Sequence, residues 1–176
     1  MSGHNKWSQI KVQKAKTDGQ KSKIYSKHAR LIAMEAKKAG TNLLSPSLTA
    51  AIDRAKKENV PRDVIERAVK KGGESGADQM EAITYEAYGP GGCAIMIDAL
   101  TENRNKAAQE VKHILSKNGF QIATPGSASW AFTRENMEWI PNMTVDLSDE
   151  DLVTLEKLTN DLEDNDEVQS VYTNVE

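Results

Sequence analysis

The sequence predicts an α+β protein in two parts: a basic three-helix domain over residues 1–73 and an acidic α+β sandwich over residues 78–176. Three observations predict this. Charge is split along the chain: Met1–Gly73 holds 17 Lys/Arg against 6 Asp/Glu, and Glu74–Glu176 holds 6 against 20, although the 176 residues together carry only −3. Apolar residues recur at helical spacing before residue 73 and gather in short strand-like runs after it. Between the halves lies Gly-Gly-Glu-Ser-Gly-Ala at 72–77, a linker composition.

The elements follow in order. Lys6, Lys11, Lys14 and Lys16 surround Trp7, Ile10 and Val12 at a spacing poor for a helix, which predicts an ordered or semi-ordered arm pinned by Trp7 and Ile10. A helix runs from Asp18, as N-cap, to Ala39, with Gly40 as its stop. Ile24, His28, Leu31 and Ile32 form one stripe, and Lys23, Lys27, Arg30 and Lys37 another about 140° away, with Met34 between. Ser45-Pro46 opens a second helix with an apolar face of Leu48, Ala51, Ile52 and Ala55. Pro61 opens a third, lined by Val64, Ile65, Ala68 and Val69 and ended by Gly72-Gly73.

Strands at 83–88 and 94–100 are joined by the turn Gly89-Pro90-Gly91-Gly92. Thr101 caps a helix from about Glu102 to Lys117, which Gly119 stops. Short strands follow at 120–122 and 129–133, with a further strand at 143–147. Ser148 caps a helix through Leu152, Leu155, Leu158 and Leu162, and Val168–Thr173 is the last strand. Alternating strands and helices of this kind imply one sheet with two helices on one face.

Several function classes drop out. No apolar run approaches the roughly 20 residues that span a bilayer, so no membrane partner is expected. The basic N-terminus has no apolar signal core and runs into capped helices, which reads as mature, cytoplasmic protein. The single Cys93 excludes an internal disulfide and fits a reducing compartment. One cysteine and three scattered histidines argue against a structural zinc site. The Gly89–Gly92 turn lacks a following Lys-Ser/Thr and leads into a strand, so it fails as a phosphate loop. Cys93 has no base beside it and reads as a buried small residue. The ten acids between Asp146 and Glu167 read as a solvated face: Asp149, Glu150 and Asp151 fall in a first helical turn, and Asp161, Glu163, Asp164 and Asp166 past the helix end. No nucleophile–base set or hydrolytic metal signature is visible, so no enzyme activity, cofactor, metal or small-molecule substrate is expected.

What remains is polyanion binding. The first 38 residues carry ten Lys/Arg and two acids, Asp18 and Glu35. Lys6, Lys11, Lys14, Lys16, Lys21, Lys23, Lys27 and Arg30 are the expected phosphate contacts. Gly3 and His4 allow close approach. Trp7 fixes the arm or, as the less favoured alternative, stacks with Tyr25 on unpaired bases. Arg104, Asn105 and Lys106 open a predicted helix, where free N–H groups and two cations form a second candidate phosphate site.

Gly3-His4-Asn5-Lys6-Trp7, with Ile10 and Lys14, resembles the GHSKW opening of the YebC family of bacterial transcriptional regulatory proteins and mitochondrial translational activators. The resemblance continues through residues 23–27, Ala51-Ile52-Asp53 to Asn59-Val60-Pro61, and Ile65-Glu66-Arg67-Ala68. It reappears in Tyr85-Glu86-Ala87-Tyr88-Gly89-Pro90-Gly91-Gly92, in Leu100-Thr101-Glu102-Asn103-Arg104-Asn105 and in residues 166–174. It implies a three-helix domain followed by a ferredoxin-like-type sandwich, and nucleic-acid binding without catalysis. It also implies either a translation factor on ribosomal RNA, assisting peptide-bond formation at difficult sequences, or a DNA-binding transcriptional regulator. Typical members carry a further α+β domain before the strand matching Thr144–Leu147. Here residues 134–143 span that gap, so the inserted domain is expected to be absent. The RNA role is favoured, because an extended basic arm suits irregular RNA and no recognition helix with spaced base-reading side chains is visible.

Overall fold

The computed structural model describes residues 6–12, 17–74 and 79–176, so the candidate residues Gly3, His4, Lys14 and Lys16 lie outside the described residues. The chain forms two compact units, one of Lys16–Glu81 and one joining Met1–Ala15 to Ala82–Glu176. The helical unit is thus inserted into the α+β unit, and the described part of the arm belongs with the strands rather than with the three helices.

That part is a helix, α1 (Lys6–Val12), where the sequence suggested irregular structure. Seven residues are too few for a stable isolated helix. Tertiary packing supplies what propensity lacks: Trp7 and Ile10, three apart on one face, both pack against the core of the α+β unit.

The helical unit contains α2 (Asp18–Ala39), α3 (Pro46–Lys57) and α4 (Arg62–Gly73). The N-cap of α2 is Thr17, not Asp18. The Thr17 hydroxyl accepts the Gln20 N–H at 3.2 Å, and the Gln20 side-chain oxygen accepts the Thr17 N–H at 2.9 Å, a reciprocal capping box. Ser45 caps α3, with Pro46 in its first turn. The unit's core is formed by Leu31, Ile32, Met34 and Ala36 of α2, Leu48, Ala51 and Ala55 of α3, Val60, and Ile65 and Ala68 of α4. Helix α4 approaches α2 closely at Gly72, where a Cβ would stand 2.3 Å from the Ala33 carbonyl oxygen.

The α+β unit follows as β1 (Glu81–Tyr88), β2 (Ala94–Thr101), α5 (Arg104–Lys117), β3 (Ile122–Ala123), β4 (Phe132–Glu135), β5 (Glu138–Pro141), α6 (Asp149–Glu163) and β6 (Val168–Thr173). The main sheet has the order β3-β1-β2-β6, with β3 antiparallel to β1 and β6 antiparallel to β2. Register sets Ala87 opposite Ile122, Ile95 opposite Thr173 and Ile97 opposite Val171. Ile95 and Ile97 pack with Val111 and Leu115 of α5 and with Leu152, Leu155, Leu158 and Leu162 of α6, so both helices cover one face as expected. Ala94 and Met96 face the other way, onto Ala128, Ala131 and Phe132, with Trp139 and Tyr172 packed against them.

The second layer differs from the expectation. Residues 129–131 form a 3-10 turn before β4, and β4 pairs with β5 as a separate hairpin. Its two turn residues, Asn136 (φ 47°) and Met137 (φ 68°), are both left-handed, the turn sense that matches strand twist. The expected strand at 143–147 is reduced to one parallel bridge, Val145 to Val175. The strand expected at 120–122 is the two-residue β3. Asn103, not Thr101, caps α5, accepting the Lys106 N–H at 3.1 Å.

Glu86 holds this layer in place. It is buried, and its carboxylate accepts N–H bonds from Gly126 at 2.6 Å, Ala128 at 2.9 Å and Ser129 at 2.7 Å. Burial raises its pKa, but these backbone donors and the Ser129 hydroxyl outweigh it and hold the carboxyl below the usual glutamate value. A lowered folded-state pKa gives stability that is complete above the unfolded-chain value, about 4.3, and is lost as pH falls through the lower folded value. Glu86→Gln is therefore expected to cost about 2 kcal/mol in urea unfolding at pH 7. The deficit should shrink as the pH is taken down below the usual glutamate value and the wild-type carboxyl takes up its proton.

Candidate nucleic-acid interface

Helix α2 has 22 residues and α3 and α4 have 12 each. At 1.5 Å per residue that is about 33 Å against about 18 Å. The short helices cover only part of the long one, and every fully buried residue of α2 lies between Leu31 and Ala36. The half before Leu31 carries Lys21, Lys23, Lys27 and Arg30 with no fully buried residue among them; Lys21 and Lys23 are exposed, Lys27 and Arg30 half-buried. Tyr25 is also half-buried. The two expected stripes are blurred: Met34 joins the buried face, while Ile24 and His28 are only half-buried.

Further cations lie in the last turns of the helices: Lys37 and Lys38 on α2, Arg54, Lys56 and Lys57 on α3, and Lys70 and Lys71 on α4. Their positions suit the helix dipole. Some cations of this unit have local partners. Lys38 pairs with buried Glu35 at 3.6 Å, Arg62 with Glu66 at 2.7 Å and Arg67 with Asp63 at 2.9 Å.

The candidates on α1 are placed differently. Trp7 is 8% exposed and packed in the α+β core, which leaves it an anchor rather than a stacking platform. Lys6 pairs with Asp149 at 3.0 Å, at the start of α6. Lys11 reaches the other end of that helix, donating to Glu163 at 3.2 Å and to the Thr159 hydroxyl at 3.3 Å, with its ammonium 5.3 Å from the Trp7 ring centre. The acids read as a merely solvated face therefore neutralise two lysines assigned to phosphate. A contiguous basic arm was legible in the sequence, but which acids fold back on it was not.

The α5 candidates lie in the α+β unit, away from the basic helices in sequence and in unit. Lys106 faces Glu167 at 3.5 Å and Glu110 at 3.9 Å, and the Asn103 side chain already takes the Lys106 N–H. Arg104 and Asn105 are exposed beside it. This helix start is screened by carboxylates and is a poorer anion site than residue types alone suggested.

Burial pushes the Cys93 thiol up to about 11, so it stays protonated at neutral pH. Gly89 and Pro90 of the Gly89–Gly92 turn are buried, and a Cβ at Gly91 would stand 2.5 Å from a methyl carbon of Leu147. Among the described residues no group of three His, Cys, Asp or Glu side chains is placed to hold a metal, and no helix is long and apolar enough to cross a membrane.

The placement of α1 makes a prediction. Trp7→Ala should cost about 3–5 kcal/mol in unfolding of the full chain, as for a large core aromatic. Lys6→Ala, which breaks an exposed pair, should cost under about 1 kcal/mol. Differential scanning calorimetry checks both, and comparable losses would contradict the packing described.

Comparison with known proteins agrees with this architecture. The model of the TACO1/YebC protein N-terminal domain matches residues 5–75. The model of the TACO1/YebC second and third domain matches in two pieces, 80–137 and 133–175, which meet at the β4–β5 hairpin. A protein of Fervidobacterium nodosum named "Probable transcriptional regulatory protein" is 43% identical over 171 residues, 96% of this chain and 68% of its own length. One of the same name from Thermotoga petrophila is 42% identical over 180 residues, 100% of this chain and 71% of its own length. The crystal structure of a conserved hypothetical protein, Aq1575 from Aquifex aeolicus, superposes with a TM-score of 0.78 at 32% identity, covering 97% of this chain and 96% of that one. With both family models matched along nearly its whole length, the chain belongs to the TACO1/YebC family.

Proposed function

We propose that this protein is a non-catalytic, nucleic-acid-binding regulator of gene expression that engages its target through the N-terminal half of α2. The observation that carries this is the basic stretch Lys21–Arg30, which has no fully buried side chain, unlike Leu31–Ala36 of the same helix. Its cations track phosphates; they do not form an array of Asn, Gln and Arg suited to base edges. Such a surface binds backbone and shape, which favours structured RNA and a translation role on the ribosome. Lys6–Val12 is helical, with Trp7 and Ile10 packed on the α+β core, so this reading rests on α2 and not on an extended arm. On this reading the inserted domain of longer members falls at the β4–β5 hairpin, and the division of the family match there supports it.

The relatives' name supports a second reading, a DNA-binding transcriptional regulator using the same surface. The two readings diverge in lysate fractionation. The translation reading expects co-sedimentation with ribosomes; the transcription reading expects light fractions and footprints on promoters.

Charge reversal tests the shared claim. Replacing Lys21, Lys23, Lys27 and Arg30 with Glu should abolish about four phosphate contacts and flatten the log–log salt dependence of binding by about 3 units. Replacing Lys6 and Lys11 should have a much smaller effect. Fluorescence anisotropy over a salt series measures both, and an unchanged slope in the fourfold variant would exclude α2 as the interface.

A further inference from the structure

The segment at 126–131 is built to display an aromatic side chain. Strand β1 clamps it twice, through Glu86 to three backbone N–H groups and through the Tyr88 hydroxyl to the Ser127 carbonyl. The Trp130 indole N–H is donated inward, to the Ser127 carbonyl at 2.7 Å and the Tyr88 oxygen at 3.1 Å. Yet Trp130 is 58% exposed and Tyr88 37%. With its one polar atom already satisfied, what Trp130 offers solvent is a ring held in a fixed orientation. Fixing a large apolar ring in water gains no burial for the fold, so this arrangement marks an interaction surface.

Charge decides which partner fits. Residues 79–176 carry 6 Lys/Arg against 18 Asp/Glu. Lys6, Lys11, Lys106, Arg134 and Lys157 of this unit are each paired with a carboxylate. The segment that carries Trp130 is therefore net negative, which disfavours nucleic acid and favours a cationic partner. The base of the β4–β5 hairpin is tied to the same turn, through the Asn142 N–H to the Ala131 carbonyl at 2.8 Å. At the hairpin's far end Glu135 and Glu138 stand directly opposite one another, a like-charge pair that a cation relieves. Four strand residues separate the two ends, about 13 Å, the span of a short extended peptide.

We propose that the Tyr88–Trp130 surface docks a basic, extended polypeptide segment. One Lys or Arg lies on the Trp130 ring and another lies towards Glu135 and Glu138. This surface belongs to the α+β unit and the nucleic-acid surface to the helical unit, which makes the protein an adaptor between a polyanion and a cationic protein segment.

The test uses the full-length chain and a fluorescent Arg-Gly repeat decapeptide, with a Glu-Gly repeat and oligouridylate as controls. The expected result is binding of the Arg-Gly peptide alone to this surface. Trp130→Ala should weaken it about fivefold, Trp130→Phe less than twofold, and Glu135→Gln with Glu138→Gln should reduce its salt sensitivity. Oligouridylate affinity should be the same in Trp130→Ala as in wild type. The side chain is exposed, so these variants should keep the wild-type melting temperature. Four results overturn the proposal: no peptide binding; peptide binding indifferent to Trp130→Ala; loss of oligouridylate binding in that variant, which assigns the ring to nucleic acid; or a wild-type dimer that dissociates in that variant, which assigns it to a second copy.

Discussion

Strand β2 is buried on both faces, and much of the α+β unit follows from that constraint. Seven of its eight residues are fully buried, with only Asp98 partly accessible. A strand of this kind needs two covering layers. Helices α5 and α6 supply one, and the edge of that layer is completed by Trp7, which draws the start of the chain onto the far end of its own sequence. The turn at 126–131 and the β4–β5 hairpin supply the other. Asp98, the polar residue of β2, ties the hairpin down by accepting bonds from Arg134 at 2.7 Å and from the Trp139 indole at 3.1 Å, and a third from Thr84 of β1 at 2.7 Å.

The same packing sorts the charges. Bringing α1 onto α6 places Lys6 and Lys11 against carboxylates, so part of the basic N-terminus is neutralised inside the acidic unit. The half of α2 before Leu31 lies in the other unit and carries Lys21, Lys23, Lys27 and Arg30 with no fully buried residue among them. A protein with net charge −3 can in this way present a polyanion-binding surface without a field that extends over the whole molecule.

Much of this was legible in the sequence, for local reasons. Caps and stops such as Ser45-Pro46, Gly40, Ser148 and Gly119 act within a few residues, and apolar periodicity fixed α3, α4, α5 and α6. The failures were long-range. Seven residues give too little local signal for a helix, and α1 is stabilised by core partners about 145 residues away in sequence, such as Leu152. The β4–β5 hairpin was hidden because Asn136-Met137 is a weak turn signal without glycine, and because the two-sided burial of β2 must be known before a second covering layer is sought. Glu86 read as one more surface acid, since nothing in the residues around it shows that three backbone donors converge on its carboxylate. For the candidate site, residue type identified the cations correctly as cations. It could not say that carboxylates fold against Lys11 and Lys106.

The most direct test of the account is hydrogen–deuterium exchange on the full-length protein, with and without a structured ribosomal RNA fragment. If the binding surface is the basic half of α2, protection on binding should concentrate at residues 18–30, and peptides from α1 and from Asp149–Glu163 should exchange as in the free protein. Protection of α1 together with faster exchange in α6 would contradict the account, because it would mean that RNA strips Lys6 and Lys11 from their carboxylates and that the arm, not α2, is the interface.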